Sequence, residues 1–163
     1  MSATGTAPTP IPPTQPTSAN AAMAAVRVRT SANWFTWIAG LSLVNSAVVV
    51  FGGNFHFVVG LGITAVVDEV AKRAGSAGVV LDLVINGFVA GLFFVFAHFG
   101  KKAQKWAFVA GMTLYTLDAL LLLGAMDILS VAFHAYALYC IYRGFAALGQ
   151  AQTPQADPFG VQG

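Results

Sequence analysis

The chain has 163 residues, of which 57% are apolar and only 9% are charged, and its formal net charge is +2. Soluble domains carry roughly 25% charged residues, so this composition excludes an ordinary water-covered surface and points to lipid. A charge of +2, with no basic cluster larger than Lys101, Lys102 and Lys105, excludes a nucleic-acid partner.

Residues 1–31 hold five of the seven prolines among Thr, Ser and Ala. Too little apolar side chain is present to offset ordering entropy, so a disordered tail is expected there. The segment does not read as a cleaved signal peptide: Arg27 and Arg29 come late, and no A-x-A site follows the first apolar run.

The first expected span is 34–52, WFTWIAGLSLVNSAVVVFG. Ser42 and Ser46 stand four apart, a small-residue face suited to close helix packing, and Asn45 lies beside them.

Residues 57–73 follow. The apolar run at 57–67 is eleven residues long, too short to span ~30 Å of hydrocarbon at ~1.5 Å per residue. Val59, Ile63, Val66 and Val70 share one helical face, while Gly60, Thr64, Asp68 and Lys72 share another. An amphipathic helix in the outer interface, or capping the bundle, is expected. The alternative takes 57–71 across the bilayer as a fifth, short helix. The Gly-Leu-Gly at 60–62 is no phosphate loop, because no strand precedes it and no Lys-Ser/Thr follows.

The second span, 78–99, reads GVVLDLVINGFVAGLFFVFAHF. It carries Asp82, Asn86 and His98, groups that lipid does not tolerate, and Gly87 and Gly91 at helix-contact spacing. The third span, 106–125, repeats that spacing at Ala107 and Gly111 and contains Asp118, with Tyr115 one turn back. The fourth, 128–148, carries His134 and an aromatic stripe of Tyr136, Tyr139 and Tyr142, which reads as a packed or interfacial face. Cys140, the single cysteine, cannot form an intramolecular disulfide and reads as a small packing residue. Residues 150–163 are polar and Pro-containing, a second disordered tail.

Short loops force neighbouring spans to be antiparallel. The expected fold is therefore all-α, an up-down four-transmembrane-helix bundle filling residues 32–149. Placing both termini inside puts Arg27, Arg29, Lys101, Lys102, Lys105 and Arg143 on the cytoplasmic side, six of the eight basic residues. Trp34, Trp37 and Trp106 then fall at the inner interface, where indole rings prefer to sit. Size and composition resemble those of small proteins of the bacterial cytoplasmic membrane.

With that topology, residue counts bring Asn45, Asp82, Asn86, Asp118 and His134 to one depth in the outer leaflet, about 6–10 Å from the outer helix ends. Two readings follow. In one, these residues are interhelical glue in a structural or accessory protein, with the bilayer and a second copy or another membrane protein as partners. In the other, they form the working layer of a proton- or cation-linked transporter. No metal-ligand spacing lies within one helix, His98 and His134 sit at opposite depths, and Gly40-Leu41-Ser42-Leu43 lacks the glycine of a serine-protease motif. Neither a cofactor nor an enzyme activity is expected on those grounds.

Overall fold

The computed structural model describes residues 18–50, 62–63 and 76–152. Among them the secondary structure is entirely helical: α1 (Ser18–Val50), α2 (Ser76–Lys101), α3 (Lys105–Gly124) and α4 (Ile128–Ala151), with Gly62 and Ile63 also helical. Two helical stretches, Leu83–Lys101 and Lys105–Gly124, are long and apolar enough to cross a membrane.

Helix α1 corrects the expectation of a disordered tail over 1–31: it begins at Ser18. The reason lies in SANAAMAAVRVR, where five alanines supply strong helix propensity. Ala24 and Val28 then have a surface to bury against and are almost wholly enclosed. Residues 1–17 and 153–163 lie outside the described residues, as does most of the expected interfacial helix at 57–73.

Helix α1 packs against α2 and α4, and α3 packs against the same two. The connections at 102–104 and 125–127 are three residues long, so α2, α3 and α4 alternate in direction. Both links turn through a left-handed residue, Ala103 at φ 58° and Met126 at φ 61°. At the first link the end of α4 is tied back by Gln152 Nε2, which donates to the Ala103 carbonyl at 2.7 Å.

Close approach at this basic end depends on missing side chains. A Cβ on Gly144 of α4 would collide with Ser31 Cβ and Oγ on α1. A Cβ on Gly111 of α3 would lie 2.5 Å from the Phe35 ring. Phe35 therefore reaches across the centre, 6.2 Å from Phe93, 6.1 Å from Phe96 and 5.9 Å from Phe108 between ring centroids. Offset and edge-on rings at these separations attract beyond their area.

The distribution of polarity is inverted. Ser42, Asn45, Ser46, Asn86, Asp118, Ser130 and His134 are buried. Leu83, Phe88, Leu117, Leu120, Ile128 and Leu129 are exposed by half or more. Water would penalise such a surface, whereas hydrocarbon would not.

Candidate functional site: a buried polar layer

Helix register brings the polar residues to one level. Phe35 and Gly111 are in contact. Ser42 and Asp118 each lie seven residues further on, and Asn86 lies seven before Phe93 on the oppositely directed α2. Each is therefore about 10 Å from the aromatic level. On α4, His134 lies ten residues before Gly144, which faces Ser31. That puts His134 about 15 Å beyond Ser31, level with Ser42.

Hydrogen bonds join the helices at this level. Asn86 Nδ2 on α2 donates to Ser46 Oγ on α1 at 2.9 Å. Across the structure, His134 Nε2 on α4 meets Asp118 Oδ2 on α3 at 2.9 Å, with His134 fully buried and Asp118 4% exposed. Asn45 is buried on α1 at the same end. Asp82 falls on α2, and its side chain lies outside the described residues.

The Asp118 carboxylate has two further partners that the spacing of residues did not suggest. The backbone N–H of Gly62 donates to Oδ2 at 2.7 Å and that of Ile63 to Oδ1 at 2.8 Å. Gly62 fits because it lacks a side chain: a Cβ there would stand 2.6 Å from Leu122 Cγ. Nothing in the pattern around 60–62 marks these amides as partners of a residue 56 positions away. A signal did exist in the bare glycine, which implies close approach of some neighbour.

His134 is held on every side. Its Nδ1 lies 2.8 Å from the Ser130 carbonyl oxygen. A carbonyl only accepts, so Nδ1 carries a hydrogen and donates. The ring stacks on Tyr115, with centroids 4.2 Å apart and planes 18° from parallel. Tyr115 Oη and Ser42 Oγ, both buried, have no hydrogen-bond partner among the described residues.

About two turns outward from His134, Asp127 caps α4. Its Oδ1 accepts from the Ser130 N–H at 3.1 Å and its Oδ2 from the Ser130 hydroxyl at 2.5 Å. These bonds, the hydroxyl's first, hold the Asp127 carboxyl below the usual carboxylate range. The Asp-x-x-Ser spacing at 127–130, passed over in the sequence as a link between spans, is the N-cap signal here. Ser130 meets Asp127 through its hydroxyl and His134 through its carbonyl.

The residues expected to pack helices divide. Ser42, Ser46, Ala107 and Gly111 are buried within the chain. Gly87 is exposed and Gly91 half-buried, and a Cβ on either meets nothing within 4 Å. Among the described residues no cluster of three or more His, Cys, Asp or Glu side chains could hold a metal ion. No protein-family model, curated protein or solved structure matches this chain.

Proposed function

We propose that this chain is a small multi-pass membrane protein with a structural or accessory role. All four helices cross the bilayer as an up-down bundle, both termini lie on the cytoplasmic side, and the bundle assembles with a second copy or another membrane protein. Two helices pass the length and composition test outright. The other two add stretches without Lys, Arg, Asp or Glu, at 30–50 in α1 and 128–142 in α4.

The observation that carries the structural role is the state of Asp118. Both its oxygens are engaged by its own chain, through Gly62, Ile63 and His134. A carboxylate used this way fastens a distant segment to α3 and α4 and leaves little capacity for a reactant. Beyond the layer, fully buried Phe35, Phe93 and Phe108 fill the half toward the lysines, which supports a packed role over a conducting one. The outward surface of α2 at Gly87 and Gly91 is bare and supplies a contact face for a partner helix.

Cysteine accessibility on a Cys140→Ser background tests the topology. Cysteines near Lys102 should label only after permeabilisation, and those near Lys72 before it; the reverse pattern would end the proposed orientation. For assembly, Gly87→Leu with Gly91→Leu should abolish a cross-linkable oligomer while leaving the helical content intact. A wild-type monomer in mild detergent, unchanged by these substitutions, removes the assembly role.

One observation favours a second reading, a proton- or cation-linked transporter: the Asp118 carboxyl and the His134 imidazole meet at 2.9 Å, both buried among the helices. Flux in proteoliposomes that disappears in Asp118→Asn would favour it over the structural role.

A further inference from the structure

Between α1 and α4, at the basic end, two adjoining cavities of about 290 Å³ and 370 Å³ make one groove. They share Thr30 and Trp34 as lining residues. The groove has a chemical gradient along its length. Its basic end is lined by Arg27 and Arg143, with half-buried Cys140 and the apolar Met23 and Val26 beside them. Thr30 and Asn33 come next, three and six residues along α1 from Arg27, about 4.5 and 9 Å. Beyond them the walls are Trp37, Leu41 and Phe133.

Among the described residues neither guanidinium meets a carboxylate, and Arg143 lies over the Tyr139 ring, 5.9 Å from its centroid. Both acidic side chains described, Asp118 and Asp127, belong to the opposite end of the helices. Trp34 is braced edge-on against Tyr136 at 5.5 Å, which keeps the middle of the groove in shape. Charged, then hydrogen-bonding, then apolar is the order of phosphate, glycerol ester and acyl chain in a phospholipid. The run from Trp34 to Leu41 covers about 10 Å, within one leaflet of about 15 Å, half the hydrocarbon thickness.

We propose that this groove is a binding site for an anionic phospholipid of the cytoplasmic leaflet. The phosphate sits between Arg27 and Arg143, and one acyl chain lies along Trp37, Leu41 and Phe133. The site rests on the membrane reading above. Basic pockets between membrane helices on this side suit such headgroups, and guanidinium groups reach the phosphate while their stems stay in hydrocarbon.

The lone thiol lining the groove supplies the readout. Protein purified in a neutral detergent is titrated with phosphatidylglycerol, phosphatidylcholine or inorganic phosphate, and maleimide labelling of Cys140 is timed. Phosphatidylglycerol should slow labelling with an affinity about 30-fold above that of phosphatidylcholine, as two arginines imply. Arg27→Gln with Arg143→Gln should abolish the preference, and Arg29→Gln, off the groove on the same helix, should keep it. Should the double variant lose helical circular dichroism, each single variant decides instead, with an expected loss of about fivefold. Equal protection by both lipids, protection by phosphate alone, or a preference that survives the double variant overturns the site. Alkaline carbonate extraction separates the two proposals. Release from membranes sinks the membrane reading itself, whereas a retained protein without lipid preference sinks only this site.

Discussion

The two halves of the helical core hold together by different means. Toward the lysines, Phe35, Phe93, Phe96 and Phe108 interlock around Gly111 and Gly144, with Ser31 packed against Gly144. Toward Asp127, Asn86–Ser46 and Asp118–His134 join helices through hydrogen bonds, and Gly62 and Ile63 are gathered in. In lipid, apolar side chains gain little by leaving their solvent, so helices associate through shape fit and hydrogen bonds. The aromatic half uses the first, which tolerates no added volume. The polar half uses the second, which tolerates no lost partner.

The largest test of that contrast is Asp118→Ala. It strands the Gly62 and Ile63 amides and leaves His134 without its partner, the situation in which a broken buried pair costs about 3–5 kcal/mol. Unfolding in a denaturing detergent, followed by tryptophan fluorescence, should show this loss, and Asp118→Asn should retain part of it. A loss below about 1 kcal/mol, the range of ordinary membrane hydrogen bonds, would mean that the polar half is no more than loosely pinned.

Gly144→Ala comes next and probes the aromatic half. The added methyl meets Ser31 Cβ, which moves only if α1 moves. An overpacking cost of about 1–3 kcal/mol is expected. A neutral result in the same unfolding measurement would show that α1 and α4 slide apart freely, contradicting a half defined by fit.

Asp127 sharpens the comparison at the end of the polar half. Asp127→Ala should cost about 1 kcal/mol, as removal of an N-cap does. The pH dependence has a definite sign. The folded carboxyl lies below its ordinary value of 3.8. Its stabilisation is thus complete above that value and is lost as pH falls through the lowered folded value. Asp127→Asn keeps a cap but removes the titration, so its stability relative to wild type should rise in strong acid. A constant difference between the two proteins from pH 6 to 2 would falsify this role.

The smallest effect belongs to Tyr115→Phe. The ring stacks on His134, but the hydroxyl has no partner among the described residues. Stability should change by less than about 0.5 kcal/mol, the range of substitutions that touch no specific feature. A larger loss would place a partner on that hydroxyl and enlarge the polar layer.

Much of the helical framework was legible in the sequence. Expected spans at 78–99, 106–125 and 128–148 agree within three residues with Ser76–Lys101, Lys105–Gly124 and Ile128–Ala151. Long apolar runs interrupted by Gly-Lys-Lys or Met-Asp leave few alternatives to helix and turn. Residues 18–31 were misread because composition reports only what a segment contains. Whether its alanines have a surface to pack on depends on α4 folding back across Ser31 and Val28. Residue counting gave a common depth for Asn45, Asp82, Asn86, Asp118 and His134, since helix rise is nearly invariant, and the Asp82 side chain lies outside the described residues.

Rotation and partnership were decided by the tertiary structure alone. A count along one helix cannot say which residue of another helix it meets. Ser46 on α1 accepts from Asn86 on α2. Gly111 turned inward onto Phe35, while Gly87 and Gly91, at the same spacing, were left with open space around them. The amides of Gly62 and Ile63 reached Asp118 across more than fifty residues because every backbone carries the same donor. Sequence specifies where such groups are scarce, as with a carboxylate in an apolar run. Only packing selects among groups that every residue possesses.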